Sequence, residues 1–265
     1  MICKSNVGFN TYLSKYILLS EFIGRKNMNK ILIIIPAYNE SKNIVDVCNS
    51  IKNYDKDLDY IVINDGSTDD TLKVCKENKL NYINLISNLG IGGAVQTGYK
   101  YAYEKDYDIA IQFDGDGQHD INYIKEICRK IQKNEVDFCI GSRFIDSTSS
   151  FKSTFLRRVG IKIIASILKI FCNVKVTDPT SGFRAGNKKV IELFSKCYPT
   201  DYPEPESIVF LVNHGIIISE VPVNMNERQS GKSSIYAWKS IYYMIRVSLA
   251  IVIDSITLSK SRGDK

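Results

Sequence analysis

Two carboxylates one residue apart, Asp114 and Asp116, form the part of this sequence best suited to chemistry. They directly follow the apolar run 109–113, at the point where a buried strand is expected to end. Alternate side chains of an extended chain point the same way, and Gly115 between them leaves room for a ligand near the backbone. Converging carboxylates repel each other unless a cation lies between them, and such oxygen ligands suit Mg²⁺ or Mn²⁺. The alternative is an ordinary turn, because Asp and Gly are frequent turn residues.

Two apolar runs nearer the N-terminus end in similar acidic segments. Residues 31–35 lead into a segment that contains Glu40, and residues 60–63 lead into one that contains Asp65. Runs rich in Ile and Val, separated by helical stretches, are typical of a parallel sheet covered on both faces. Ligands bind such sheets at the carboxyl ends of the strands. We therefore expect these two acids and the aspartate pair to lie along one rim.

The alternation of strands and helices continues through the first 142 residues. It predicts an α/β fold, Rossmann-like, with a mostly parallel sheet and helices on both faces. The loops after the first four strands are expected to form one cleft. The predicted strands lie near 31–36, 59–64, 81–86, 108–113 and 136–141, and the predicted helices near 41–53, 69–79, 91–105 and 120–133.

Composition limits the class of protein. The chain has 265 residues, 44% of them hydrophobic, which is enough to bury the core of one α/β domain. Its 7 cysteines include no Cys-x-x-Cys pair and its histidines number only 2, which indicates neither a disulfide framework nor a zinc site and fits a reducing cytosol. The net charge is +6, and the region 147–177 contains lysines and arginines but no acidic residue. We expect that region to attract an anionic surface or substrate.

Two amphipathic segments follow the predicted sheet. In residues 155–171, apolar residues alternate with cations at helical spacing, which fits either a helix packed on the sheet or one that contacts a membrane. Between Trp238 and Leu258, polar residues recur along one narrow stripe. Arg246 and Asp254 argue against a simple lipid-facing span, so we expect this helix to lie in the interface or to pack against a membrane partner. The basic residues lack interleaved aromatic residues that stack on bases, which disfavours nucleic acid as a partner.

Five motifs resemble, in order and spacing, those of family 2 glycosyltransferases. The resemblance is strongest to the branch of dolichol-phosphate mannose synthases and related polyprenyl-phosphate glycosyltransferases, and it covers residues 30–235. It implies a GT-A fold, a nucleotide-diphosphate-sugar donor, Mg²⁺ or Mn²⁺ as cofactor, and inversion at the anomeric carbon. The motifs are Pro36-Ala37-Tyr38-Asn39-Glu40, Asn64-Asp65-Gly66-Ser67-Thr68-Asp69, Asn88-Leu89-Gly90-Ile91-Gly92-Gly93-Ala94, Asp114-Gly115-Asp116-Gly117-Gln118 and Asp178-Pro179-Thr180-Ser181-Gly182-Phe183-Arg184.

The resemblance also implies roles on the donor side. Asp114 and Asp116 are expected to hold the metal, and Asp65 is expected to accept a hydrogen bond from the base or ribose. The alternative for Asp65 is a helix N-cap or turn acid. The glycines of the 88–94 motif miss the dinucleotide-binding spacing, so we expect them to allow close approach of the donor or tight helix packing. The other residues expected to bind the donor are Pro36, Tyr38, Glu40, Gly115, Gln118 and Arg143.

Three acids compete for the role of general base or acceptor-positioning group. Asp178 is the first choice, and Glu204 and Glu206 are alternatives that the sequence does not separate. A lipid phosphate acceptor is already ionised near neutral pH and needs no strong base. The cations that the resemblance implies for the acceptor phosphate are Arg184, Arg228 and Lys232.

We therefore predict an N-terminal extension (1–28), a GT-A domain (29–235), and a membrane-interface or partner-binding helix with its tail (236–265). The expected activity is hexosyl transfer from a nucleotide sugar to polyprenyl phosphate or a lipid-linked saccharide in cell-surface polysaccharide synthesis. The enzyme is expected to be peripheral on the cytoplasmic face of the cell membrane, with a small membrane protein or a second copy as a further partner. Two alternatives stay open: a soluble transferase acting on a sugar or protein hydroxyl, and a noncatalytic subunit that binds nucleotide sugar.

Overall fold

The computed structural model of the chain describes residues 29–145, 155–226, 246–249 and 251–253. The predicted extension, the predicted cations Arg228 and Lys232, and most of the predicted C-terminal helix lie outside these residues. Strands and helices alternate as predicted. The strands are β1 (Ile31–Ala37), β2 (Asp59–Asn64), β3 (Tyr82–Asn84), β4 (Ile109–Gln112), β5 (Phe138–Ser142), β6 (Arg184–Asn187) and β7 (Ile218–Pro222). The helices are α1 (Ile44–Tyr54), α2 (Thr71–Glu77), α3 (Gly90–Glu104), α4 (Ile124–Gln132), α5 (Phe155–Cys172), α6 (Lys188–Lys196) and α7 (Pro203–Asn213), with a 3₁₀ turn at Ile121–Tyr123.

The strands form a mostly parallel sheet, which confirms the predicted fold class. Their order across the sheet is β3-β2-β1-β4-β6-β5-β7. Strand β6 runs antiparallel to β4 and β5, whereas the other neighbouring strands are parallel. The pattern of apolar runs did not predict β6, because Arg184–Asn187 contains a glycine and two polar residues in place of an apolar run.

Strand β1 lies between β2 and β4, and this order decides where a ligand can bind. The chain passes from β1 to β2 and β3 on one side and then returns to β4 on the other side. The carboxyl ends of β1 and β4 therefore flank a topological switch point, where open α/β sheets bind ligands. A Cβ atom added at Gly115, just after β4, would stand only 3.1 Å from the carbonyl oxygen of Pro36 in β1. The sheet thus places the aspartate pair beside the end of β1.

Apolar side chains cover both faces of the sheet. One cluster includes Ile34 of β1 and Tyr99 of α3, and the other includes Ile35 of β1 and Ile127 of α4. Neighbouring residues of β1 enter opposite clusters because strand side chains alternate between faces. In the C-terminal segment, Val247 and Ile251 are fully buried in the first cluster. This part of the segment therefore packs on the domain itself, where the sequence pattern predicted contact with a membrane or a partner.

Helix α5 has apolar residues on two sides. Ile164 and Leu168 are buried in the core, whereas Val159 and Ile163 are 39% and 47% exposed. The sequence pattern placed Val159, Ile163 and Ile164 on one apolar face. In the structure only the row of side chains that includes Ile164 packs in the core, and Val159 and Ile163 face outward. The exposed row is interspersed with lysines and arginines. No helix among the described residues is both long and apolar enough to cross a membrane.

Candidate active site

The loops after β1, β2, β3 and β4 surround one cavity of about 500 Å³. The acids Glu40, Asp65, Asp114 and Asp116 all line it, which confirms that these side chains share one rim. The loop after β3 and helix α7 complete the wall. The other lining residues are Pro36, Ala37, Tyr38, Asn88, Gly90, Ile91, Ala94, Gly115 and Glu204.

Asn39 ties the first two loops together, a role that the sequence analysis did not assign. Its side-chain oxygen accepts hydrogen bonds from the backbone nitrogens of Thr68 (2.9 Å) and Asp69 (3.2 Å). Its own backbone nitrogen donates to Ser67 Oγ at 3.0 Å. Its φ angle is 59°, a conformation that asparagine adopts more readily than most residues. An asparagine in a loop directly after a buried strand is the sequence signal for such a role.

Asp65 holds the loop that follows β3. Its side chain is buried and its Oδ1 accepts a hydrogen bond from Leu89 N at 2.7 Å. The alternative of a helix N-cap does not hold, because Asp70 occupies that position before α2. Asp65 therefore combines a structural contact with a place on the cavity wall.

The glycine-rich loop after β3 serves helix packing at Gly92. A Cβ atom at this position would stand 2.5 Å from the carbonyl oxygen of Pro199 and 2.8 Å from Thr200 Cα. Gly90 adopts a φ of 77°, which β-carbon-bearing residues rarely tolerate, and lines the cavity. Gly92 therefore confirms tight packing of the start of α3 against residues 199–200, and close approach of the donor at Gly90 stays a prediction.

Asp114 is held between a glycine and a histidine. A Cβ atom at Gly182 would stand 2.9 Å from Asp114 Oδ2, so the carboxylate lies directly against that backbone. On the other side, His119 Nε2 is 3.0 Å from the same oxygen. Burial raises the pKa of the Asp114 carboxyl, but the neighbouring His119 ring and Arg143 guanidinium outweigh it and lower that pKa below its usual value. The carboxylate is therefore ionised at neutral pH and suited to bind a cation.

Asp116 lies between the main cavity and a smaller cavity of about 250 Å³, and it lines both. Its Oδ1 accepts a hydrogen bond from Gln118 N at 3.0 Å. The carbonyl oxygen of Gln118 in turn accepts from Asn226 N at 2.8 Å. The backbone of Gln118 therefore joins the aspartate loop to the segment after β7.

The two aspartates could hold a divalent metal only with help from a ligand. Among the described residues, no group of three or more His, Cys, Asp or Glu side chains is arranged to hold a metal. Mg²⁺ is usually bound by one or two carboxylates together with waters and substrate phosphates. Asp114 and Asp116 on the wall of a 500 Å³ cavity fit that mode of binding.

Arg143 and Asp178 form a buried ion pair. Arg143 Nε and Nη2 lie 2.6 and 2.7 Å from the two carboxylate oxygens of Asp178, and the carboxylate side chain is 0% exposed. Such two-point pairing orients both groups rigidly. This placement supports neither donor-phosphate contact by Arg143 nor proton abstraction by Asp178.

Glu220 supports this pair from β7, which the sequence analysis did not anticipate. Its two oxygens accept hydrogen bonds from the backbone nitrogens of Asp178 (2.9 Å) and Thr177 (2.7 Å). Burial raises the pKa of the Glu220 carboxyl more than these hydrogen bonds lower it. A glutamate inside a short strand, Ile218–Pro222, beside Ile218 and Val221, is the sequence signal for a partly buried acid of this kind.

Arg184 does not face a ligand. Its guanidinium donates to the carbonyl oxygens of Pro179 (2.9 Å) and Glu204 (2.7 Å) and to Ser207 Oγ (2.7 Å), and the residue is 1% exposed. This placement does not support the prediction that Arg184 binds the acceptor phosphate. The side chain instead joins the 179–182 loop to the start of α7, which satisfies its buried charge.

The first turn of α7 carries Glu204 and Glu206. The described lining of the main cavity includes Glu204 but not Glu206. Burial raises the pKa of the Glu204 carboxyl, the negative charge of Asp114 adds to this, and Arg184 offsets only part of it. The structure thus separates two acids that the sequence left equivalent, and Glu204 is the one that faces the cavity.

A second large cavity, of about 610 Å³, lies along helix α5. Its apolar lining includes Ile161, Ala165 and Val176. Its charged lining consists of cations: Arg143, Arg158, Lys162, Lys169 and Lys175. The cavity thus combines apolar surface with positive charge and, in its described lining, no acid.

A doubly wound α/β sheet with paired aspartates at its switch point is typical of domains that bind nucleotide sugars. The family model for Glycosyl transferase family 2 matches residues 32–194. The chain therefore belongs to glycosyl transferase family 2 and is a glycosyltransferase.

Relatives and solved structures agree with this family. The UDP-N-acetylglucosamine–dolichyl-phosphate N-acetylglucosaminyltransferase of Methanococcus voltae is 32% identical over 248 residues, which cover 84% of this chain and 98% of that protein. The polyprenol monophosphomannose synthase of Mycolicibacterium smegmatis is 25% identical, over 76% of this chain and 79% of that one. The crystal structure of glucosyl-3-phosphoglycerate synthase from Mycobacterium tuberculosis, in complex with Mn²⁺, UDP and glucosyl-3-phosphoglycerate, has a TM-score of 0.63 at 17% identity and covers 87% of this chain and 81% of that one. The last similarity confirms the GT-A fold.

Proposed function

We propose that this glycosyltransferase moves a sugar from a nucleotide-diphosphate donor to a polyprenyl phosphate or a lipid-linked saccharide, at a membrane surface. The observation that carries the proposal is the convergence of Asp65, Asp114 and Asp116 on one cavity. The relatives from Methanococcus voltae and Mycolicibacterium smegmatis, whose names specify dolichyl-phosphate and polyprenol acceptors, support the acceptor class. A nucleotide occupies the end of the cavity near Asp65 and Tyr38, and the diphosphate lies toward the aspartate pair.

In this proposal Asp114 and Asp116 hold Mg²⁺ or Mn²⁺ against the donor diphosphate. When bound, the metal neutralises the charge that develops on the leaving nucleoside diphosphate. With polyprenyl phosphate as acceptor, its ionised oxygen forms a bond to the anomeric carbon while the bond from that carbon to the diphosphate oxygen breaks, and the diphosphate leaves with the electron pair. A saccharide hydroxyl as acceptor also passes its proton to a base, for which Glu204 is the candidate in this cavity. A single displacement of this kind inverts the anomeric configuration. The chain itself orients the donor for this displacement, through Asp65 and the two loops that Asn39 joins.

The cavity along α5 supports a lipid phosphate as acceptor. Arg158, Lys162 and Lys169 supply positive charge beside the apolar side chains of Ile161 and Val176. An amphiphile with an anionic head group matches this combination of charge and apolar surface. Because such a phosphate is ionised at neutral pH, transfer of the sugar to it requires no general base.

The outer side of α5 supports a peripheral location on the cytoplasmic face of the membrane. Ile163 and Ile170 are 47% and 73% exposed, and Lys162 and Lys169 next to them are exposed as well. Apolar residues flanked by cations are typical of helices that lie in the interface of anionic membranes. Membrane attachment through α5 places the cavity behind it next to the lipid.

Glu204 favours a second candidate function, transfer to a hydroxyl group. A hydroxyl acceptor needs a base, and Glu204 is the carboxylate of α7 that lines the donor cavity. Burial raises the pKa of this carboxyl toward the range in which a base works well. In that case the protein acts on a sugar or protein hydroxyl, and α5 is an ordinary surface helix.

The test is a transfer assay over a panel of nucleotide sugars with Mg²⁺ or Mn²⁺, with and without polyprenyl phosphate in detergent. D116A is the matched variant, because Asp116 lines the cavity and is one of the two aspartates expected to hold the metal. We expect metal-dependent transfer to the lipid by the native chain and loss of transfer in D116A. Transfer to soluble saccharides without any transfer to the lipid overturns the proposal in favour of the second candidate.

A further inference from the structure

His119 is the buried side chain next to the aspartate pair that no part of the proposed function uses. It is one of 2 histidines in the chain, and its side chain is 2% exposed. Its ring packs between Phe113 and Phe183, at centroid distances of 5.4 and 4.9 Å. The backbone of His119 pairs with Met225 in an isolated antiparallel bridge. The ring is therefore fixed in place by its neighbours on several sides.

Among the residues that the structure describes, the ring nitrogens of His119 have no hydrogen-bond partner. Nε2 lies 3.0 Å from Asp114 Oδ2, within the distance of an ion pair, but the described part of the chain supplies no well-formed hydrogen bond to either Nε2 or Nδ1. Buried polar atoms almost always find a partner, so an orphaned imidazole beside a carboxylate indicates a function. The nearby carboxylate can only accept a hydrogen bond, which requires the proton of a neutral ring to lie on Nε2.

His119 also contributes to the wall of the smaller cavity, which contains both polar and apolar side chains. His119 lines the cavity of about 250 Å³, together with Asn43, Ser50 and Asn226. A cavity of this size with polar side chains in its wall can hold water, and water can donate to Nδ1. His119 thus lies between this cavity and the carboxylate of Asp114.

We propose that His119 is a positioning residue for the metal ligand Asp114. An Nε2–H donated to Oδ2 would hold the Asp114 carboxylate in one orientation for the metal that this carboxylate would bind together with Asp116. The backbone at Gly182 closes the other side of the same carboxylate, because a Cβ atom there would be only 2.9 Å from Oδ2. Hydrogen bonds of this kind to metal ligands typically contribute about 10-fold to 100-fold in metal affinity. The inference rests on the proposed function, since it assumes that Asp114 binds a metal with the donor.

The test measures Mn²⁺ binding directly, by electron paramagnetic resonance with UDP present. H119F keeps an aromatic ring between Phe113 and Phe183 but has no donor, whereas H119Q keeps an N–H donor. H214F is the matched control, because His214 is the other histidine and lies exposed at the end of α7. We expect the dissociation constant for Mn²⁺ to rise about 10-fold to 100-fold in H119F, to recover at least partly in H119Q, and to stay unchanged in H214F.

Two further readouts separate positioning from a loss of structure. H119F is expected to bind UDP without metal as the native chain does, and to reach near-native kcat at saturating Mn²⁺ with a higher Mn²⁺ concentration for half-maximal rate. If H119F does not fold by its melting curve, H119L replaces it. Native affinity for Mn²⁺ in H119F, or equal loss in H119F and H119Q, overturns the inference. If the native chain itself binds no Mn²⁺ with UDP, the metal step of the proposed function fails, and the inference fails with it.

Discussion

The carboxylate of Asp114 lies against the backbone of Gly182, so that a Cβ atom there would stand 2.9 Å from Oδ2 and 3.1 Å from Oδ1. Glycine 182 belongs to the loop before β6, whereas Asp114 follows β4, and the antiparallel pairing of these strands brings the two together. The backbone at Gly182 needs no positive φ angle, so the restriction at this position is steric. The orientation of the proposed metal ligand Asp114 therefore depends on the absence of a side chain at Gly182.

G182A tests this contact. The added methyl group displaces the Asp114 carboxylate, which can rotate away at little cost in stability. We expect Mn²⁺ binding in the presence of UDP to weaken by about tenfold or more, with the melting temperature nearly unchanged. Titration calorimetry and a melting curve measure the two quantities. Native Mn²⁺ affinity in G182A would show that the carboxylate orientation in this structure is not the one that binds metal.

E204Q separates the two candidate acceptors. If the acceptor is a lipid phosphate, no base is needed, and we expect kcat to fall by less than about tenfold. Removal of a general base typically costs about 10²-fold to 10⁴-fold. The measurement is steady-state transfer to polyprenyl phosphate, with E206Q as the control because Glu206 lies on the same helical turn outside the described cavity lining. A fall in kcat of about 10²-fold or more in E204Q but not in E206Q is the size expected for removal of a general base, and it contradicts a phosphate acceptor.

The same substitution has a consequence for stability against pH. The pKa of Glu204 is raised in the folded chain, mainly by burial, so between the unfolded and folded pKa the folded state binds more protons. The contribution of this group to stability is complete below the unfolded pKa and is lost as pH rises through the folded pKa. We expect E204Q to melt at a higher temperature than the native chain at pH 8, with a smaller difference at pH 4. Melting curves without metal from pH 4 to pH 8 measure how the difference in melting temperature between E204Q and the native chain depends on pH. A stabilisation by E204Q that is larger at pH 4 than at pH 8 contradicts the prediction.

D178N tests the buried pair of Arg143 and Asp178. It leaves the guanidinium with a neutral partner in a site where the carboxylate is fully buried. Breaking one side of a buried ion pair typically costs about 3–5 kcal/mol, and we expect a loss of that size in the free energy of unfolding. Urea denaturation measures it. The double variant R143Q/D178N is expected to lose less than the sum of the two single variants, and strict additivity contradicts the pairing.

R157E/R158E tests membrane attachment through α5. Each cation near an anionic surface contributes roughly 1 kcal/mol, so the loss of two, together with repulsion of the two new carboxylates, is expected to weaken binding to phosphatidylserine vesicles by at least roughly 30-fold. Sedimentation with vesicles at low and high salt measures this. K73E/K76E is the control with the same charge change, because α2 packs in the cluster on the other face of the sheet from α5. Equal loss in both variants indicates nonspecific attraction and contradicts attachment through α5.

The sequence by itself determined the α/β class, the first five strands and the rim of acids. The reason is that these features are local: runs of Ile and Val specify buried strands, and polar motifs directly after them must lie at the carboxyl edge of a parallel sheet. The family also followed from the motifs, since their order is a property of the chain and not of its packing. Asp114, Asp116 and Asp65 reached the predicted cavity for this reason.

Only the tertiary structure decided which of the remaining acids and cations are available to a ligand. Asp178 and Arg143 lie 35 residues apart and neutralise each other, and Arg184 is enclosed by carbonyl oxygens of two other segments. Glu204 and Glu206 differ only in which way the first turn of α7 points them. His119 became a candidate because of its distance to Asp114 and its missing hydrogen bonds. Each of these facts depends on contacts between segments distant in the chain, and spacing along a sequence does not specify such contacts.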